Sequence, residues 1–207
     1  MRKCKLYAYA CDFGEKKMSV NVVLCGVGGQ GTVLASKIMA KAAMNKGYKV
    51  MSAETIGMAQ RGGSVFSFLR IGDDVESPMI AKGSADVILG FEPGETVRML
   101  PYLKEGGAVI ANTRVVKPTT STLSGAHYEG ADMVEYLQKN VESLTVVDGD
   151  KAGEELGAAK VLNVVLLGAA VRTGKLGLSE DDIREAMKES VKEKFIPLNL
   201  KAFDYAE

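Results

Sequence analysis

The run Val20-Asn21-Val22-Val23-Leu24-Cys25, ending in Gly26-Val27-Gly28-Gly29-Gln30-Gly31, constrains this chain more than any other segment. A short, nearly continuous apolar run reads as a strand buried on both faces. The glycines that follow permit a tight turn and let backbone N–H groups approach a ligand. From Thr32 to about Lys46, Leu34, Ile38, Met39 and Ala42 fall on one helical stripe, and Gly47 is a stop signal. Lys49–Ala53 reads as a second strand. The first fifty residues therefore predict a Rossmann-like βαβ unit with a right-handed crossover.

The same alternation of periods continues along the chain. Val65–Ile71 predicts a strand, Gly72-Asp73-Asp74 a turn, and Val75–Ile80 a short return strand at an edge. Asp86–Phe91 is another buried-type strand. Glu92-Pro93-Gly94-Glu95 opens a helix running to Leu103, with proline in its first turn, and Gly106-Gly107 closes it. Ala108–Asn112 predicts the next strand, and Thr113–Glu129 is irregular. Helices are predicted over Gly130–Asn140 and Lys151–Ala159, with a strand at Leu144–Val147 between them. Val161–Val171 is apolar nearly all round, as a buried helix is. Ser179 and Asp182 suit a capping box for a last helix, Ile183–Glu193. The sum is α/β: a single three-layer domain over 20–207 with a mainly parallel sheet. Residues 1–19 read as an N-terminal tail or an edge extension outside that fold.

Composition narrows the function. Basic and acidic residues balance at 26 each, so nothing invites nucleic acid. The three cysteines, Cys4, Cys11 and Cys25, have neither a disulfide pattern nor the spacing of an iron–sulfur motif. Cys25, ending a buried strand, reads as a small core hydrophobe. The single histidine, His127, makes a His/Cys zinc site unexpected and reads as a surface residue, with no nucleophile elbow near it. The N-terminal apolar stretch is too short for a secretory signal, and no run is long enough to span a bilayer, so a cytoplasmic location is expected.

Two loops carry the chemistry. Gly26, Gly28 and Gly31 fit G-x-G-x-x-G between a strand and a helix, and the helix start adds a positive dipole end. Glu54, 23 residues past Gly31, could serve a ribose hydroxyl, which gives a stand-alone NAD or FAD protein. The plainer alternative is a turn that needs glycines for packing alone. Gln30 can hydrogen-bond a ligand or a neighbouring chain. The second loop, Gly57-Met58-Ala59-Gln60-Arg61-Gly62-Gly63, is apolar for a loop, and Arg61 with Gly62 and Gly63 can offer a guanidinium and N–H groups to one anion. It could instead pack on its own sheet with Arg61 solvated. Glu54, Glu92 and Asn112 all end predicted strands, on the sheet edge that lines ligand crevices. Glu92 equally suits a helix N-terminus.

Together the loops carry a resemblance. VVLCGVGGQG followed by ETIGMAQRGGSV, then DVILGFEPGETVRMLPYLKEGGAVIANT and KVLNVVLLGA, resembles the gamma domain of the 2-oxoacid:ferredoxin oxidoreductase family from about Val20 to Phe195. MAQRGG in a separate small chain looks most like the beta subunits of the indolepyruvate type. The resemblance implies oxidative decarboxylation of indolepyruvate or another 2-oxoacid to an acyl-CoA and carbon dioxide, with electrons passed to ferredoxin. It implies thiamine diphosphate, Mg2+, iron–sulfur clusters and coenzyme A in the complete enzyme, none of them bound by this chain alone. A large alpha subunit would carry the thiamine and the clusters, and this chain would be an oxidoreductase subunit without catalytic or metal residues of its own. Gly28, Gly29, Gln30, Arg61 and Gly62 would then face that subunit and shape a pocket for coenzyme A or the substrate carboxylate. The NAD or FAD reading and a purely structural subunit remain as alternatives. An exposed apolar patch would favour homodimers when the partner is absent.

Overall fold

The structure is a computed structural model that describes residues 18–55, 63–116 and 130–205. The expected tail over 1–19 lies almost wholly outside the described residues, as do Ile56–Gly62 and His127. Six strands form one sheet: β1 (Ser19–Val27), β2 (Lys49–Glu54), β3 (Ser64–Gly72), β4 (Ala85–Gly90), β5 (Leu103–Asn112) and β6 (Ser143–Val147). Their order is β2-β3-β1-β4-β5-β6. The run β1-β4-β5-β6 is parallel, whereas β3 is antiparallel to both β1 and β2.

The described helices are α1 (Thr32–Asn45), α2 (Pro93–Met99), α3 (Gly130–Asn140), α4 (Gly149–Glu155), α5 (Leu162–Arg172), α6 (Glu180–Ser190) and α7 (Ile196–Asp204). Strand alternation sorts the core into two halves. Val22, Leu24, Leu89 and Ile110 point to one side, where α1, α5, α6 and α7 bring Ile38, Leu166, Met187 and Phe203. Val23, Cys25, Ile88 and Val109 point to the other, where Met99 of α2 and Leu137 of α3 cover them. This is the three-layer α/β domain expected, and α5 buries every residue from Leu162 to Val171.

Three expectations are corrected. The first βαβ unit is split, because β3 lies between β1 and β2. Val75–Ile80 is not a strand: β3 is already paired along both edges, and Arg70 ties the segment down through the carbonyls of Ser77 (3.0 Å) and Met79 (3.4 Å). The helix from Pro93 stops at Met99 and gives way to a 3-10 turn, Leu100–Tyr102, so Gly106 and Gly107 lie inside β5 rather than at a helix end. Gly106 has φ +68, a conformation that glycine adopts without penalty, next to a register shift against β4.

Candidate functional site

The glycine turn after β1 meets Gly63, the last residue of the second glycine segment, at one end of the sheet. The antiparallel register of β1 and β3 sets Val27 opposite Ser64, and the Gly28 N–H donates to the Gly63 carbonyl at 2.9 Å. The turn after β1 is held by Gln30. Its Oε1 accepts from the Val27 N–H at 2.8 Å, and its Nε2 donates to the Phe91 carbonyl at 3.0 Å. Gln30 was expected to face a ligand or a partner; its amide fastens the loop to the end of β4, and the residue also lines the crevice over the turn. Gly26 is required there, since a Cβ would lie 2.6 Å from Gln30 Oε1 and 2.7 Å from Phe91 Cβ. Gly31 is the N-cap of α1 with φ +88, and it supplies no side-chain cap. The first turn of α1 has no acidic residue, so its backbone dipole is left to outside groups.

The three strand-end polar residues divide. Asn112 is fully buried: its Nδ2 donates to the Phe91 carbonyl and its Oδ1 accepts from the Gly149 N–H, each at 3.0 Å. Glu92 is buried as the N-cap of α2, taking the Glu95 N–H at 2.8 Å. Both were expected to line the crevice, and both are spent inside the fold holding strand ends to helix starts. Glu54 is exposed on the edge strand β2, with β3 between it and β1. The adjacency that a ribose-binding carboxylate needs is thus missing. Arg61 and Gly62 lie outside the described residues; Gly63, next in sequence, sits against Gly28.

A crevice of about 530 Å³ opens over the glycine turn. Gly28, Gly29 and Gly31 form one wall, Arg114 and Val116 another, and Lys160, Leu162 and Asn163 close it, with Leu34 below. Arg114 comes from the segment after β5 and pairs with Asp150 at 3.2 Å, both half-exposed. Lys160 is exposed and has no ion-pair partner among the described residues. A helix N-terminus favours an anion by roughly 0.3–1 kcal/mol at an exposed site; Lys160 adds its charge at the rim, and Arg114 stands there already paired with Asp150. Gly31 packs against Asn163, and a Cβ on Gly31 would stand 3.0 Å from Asn163 Nδ2.

Sequence reasoning missed Arg114, Lys160 and Asn163. Arg114 follows the end of β5 by two positions, where the strand-end rule could have found it. Asn163 was signalled as a polar residue inside an otherwise apolar helix. Lys160 carried no signal of its own.

Beneath the loops lies Cys25, fully buried. Burial pushes its thiol far up, and the nearby Glu95 and Glu92 carboxylates push the same way against a hydrogen bond with Thr96. It is a packing residue and not a nucleophile. Glu95 accepts from the Ser64 hydroxyl at 2.6 Å, which fixes the start of β3. Among the described residues, no group of three or more His, Cys, Asp or Glu side chains could hold a metal ion. No helix there is long and apolar enough to cross a membrane. Among the described residues, the crevice gathers a helix start, Arg114 and Lys160, an arrangement suited to an anion.

Known proteins resemble this chain over most of its length. The model of the pyruvate ferredoxin/flavodoxin oxidoreductase family matches residues 21–206. Indolepyruvate oxidoreductase subunit IorB of Thermococcus kodakarensis is 41% identical over 189 residues, covering 89% of this chain and 92% of the relative. The IorB subunit of Pyrococcus horikoshii is 39% identical over 186 residues, with the same shares of each chain. Among solved structures, the gamma subunit of a keto/oxoacid ferredoxin oxidoreductase from Geobacter sulfurreducens superposes with a TM-score of 0.66 at 28% identity, covering 90% of this chain and 95% of that one.

Proposed function

The chain belongs to the pyruvate ferredoxin/flavodoxin oxidoreductase family, and from that premise we propose that it is the small subunit of a cytoplasmic 2-oxoacid:ferredoxin oxidoreductase acting on indolepyruvate or a related arylpyruvate. A large alpha subunit carries thiamine diphosphate with its Mg2+ and the iron–sulfur clusters, and the assembly passes electrons to ferredoxin. Thiamine supplies the carbanion chemistry when bound.

Its own contribution is the crevice over Gly28–Gly31, which takes coenzyme A. The observation that carries this reading is the convergence of an uncapped helix start, Arg114 and Lys160 on one open cleft. A lone carboxylate needs one such group; several spread around a cleft suit a ligand with several phosphates. Arg61, which precedes Gly62 and Gly63 in sequence, is proposed to serve the same anionic ligand. These residues bind and orient the thiol acceptor, while bond making stays on the partner. No separate observation favours the NAD or FAD alternative once β3 is seen between β1 and β2.

The test begins with anaerobic co-purification on a tagged chain, followed by assay of dye or ferredoxin reduction with indolepyruvate and coenzyme A. A large iron–sulfur partner and arylpyruvate-dependent, CoA-dependent reduction are expected. A lone chain that binds NAD or FAD would overturn the reading. In the assembled enzyme, Arg61→Ala should raise the KM for coenzyme A, and unchanged kinetics with unchanged assembly would overturn a ligand role for Arg61.

A further inference from the structure

Asn163 is the anomaly of the crevice. It sits in the first turn of α5, the one polar residue in a stretch buried from Leu162 to Val171. Its side chain is 3% exposed, and its Oδ1 is the one buried side-chain polar atom left without a hydrogen-bond partner among the described residues. An apolar residue at this position would avoid that cost, because a buried acceptor without a partner is destabilising. The residue that carries this orphan lines the crevice and packs against Gly31, the N-cap of α1.

The surrounding groups define what would satisfy it. The glycine turn, the α1 start, Arg114 and Lys160 present N–H donors or positive charge. An anion meets all of them, yet it gives nothing to an acceptor. We propose that Asn163 is a specificity-determining residue that accepts a hydrogen bond from a hydroxyl or N–H of the same ligand whose phosphates lie on the glycine turn. The site therefore takes a phosphorylated molecule with a donor beside its phosphates, as a nucleotide-bearing thiol has, and discriminates against plain polyphosphate. This inference rests on the reading of the crevice as the coenzyme A site.

The test compares Asn163→Leu, which keeps the branching at Cγ, removes both polar atoms and suits the apolar helix, with Lys160→Ala in the assembled enzyme. Asn163→Leu should raise the KM for coenzyme A about tenfold, the equivalent of one good hydrogen bond, with kcat unchanged. Inhibition by inorganic pyrophosphate should be unaltered, because that probe has phosphates and no such donor. The melting temperature of the free chain should rise, since the orphan is removed; a merely structural asparagine would show a fall. Should the leucine variant fold poorly, Asn163→Ala gives the same kinetic comparison. An unchanged KM in Asn163→Leu with a raised KM in Lys160→Ala would overturn the role of Asn163 and leave the anion site standing. Unchanged KM in both would overturn the anion site itself. Equal weakening of coenzyme A and pyrophosphate would mean that the amide donates to the anion, which contradicts the proposal.

Discussion

The Phe91 carbonyl gathers two side-chain amides, from Gln30 and Asn112, each at 3.0 Å, and so joins β1, β4 and β5 at the edge that carries the crevice. The sequence showed polar residues at strand ends and suggested ligand contacts. It could not show that two of them satisfy buried backbone groups, because that depends on which strand ends lie side by side. Gly26→Ala should drive a Cβ into this junction and cost on the order of 1–3 kcal/mol in denaturant unfolding; stability equal to wild type would contradict the close approach. Cys25 makes a second prediction. Its thiol is held well above its ordinary value of 9.0, first by burial and then by Glu95 and Glu92. The unfolded chain releases this proton more readily, so the contribution is fully present below pH 9 and is lost as pH rises beyond it. Cys25→Ala should lose less stability than wild type between pH 8 and about pH 10. Equal losses would count against that assignment.

Among elements, α7 is the one whose existence was not read from the sequence. Pro197 in its first turn and the short stretch after the α6 helix hid it. Its anchor is Phe203, fully buried, with the guanidinium of Arg184 4.9 Å from the ring centroid and the Arg172 side chain donating to the Phe203 carbonyl at 3.0 Å. Gly168 of α5 makes room, for a Cβ there would lie 2.3 Å from that carbonyl oxygen. Phe203→Ala should cost about 3–5 kcal/mol by chemical denaturation; a loss below about 1 kcal/mol would mean that α7 is not anchored by this ring. Asp204 beside it is held below the usual carboxylate range by its hydrogen bond from Arg184. Its contribution is present above the unfolded value and fades as pH falls through the folded one. The pair is half-exposed and screened, so Asp204→Asn should flatten the acid limb of the stability profile only slightly, and less so at high salt.

In the assembled architecture, the layers and parallel strands followed from hydrophobic period, because burial on one or both faces leaves a pattern in the residues themselves. Strand order left no such pattern. Val65–Ile71 reads as a strand wherever it pairs, and its entry between β1 and β2 removed the dinucleotide geometry that the glycine motif alone suggested. The cationic rim of the crevice was equally hidden, since Arg114 and Lys160 come from segments far apart in sequence and converge only through the fold. What distinguished this chain was the succession of two glycine segments in its sequence, and the β1–β3 register sets Gly28 of the first against Gly63 of the second. The decisive measurement is the steady-state kinetics of the reconstituted enzyme carrying Lys160→Glu. The KM for coenzyme A should rise by about tenfold or more while kcat and the KM for the 2-oxoacid stay near wild type. An unchanged KM for coenzyme A in a correctly assembled complex would contradict the assignment of the crevice.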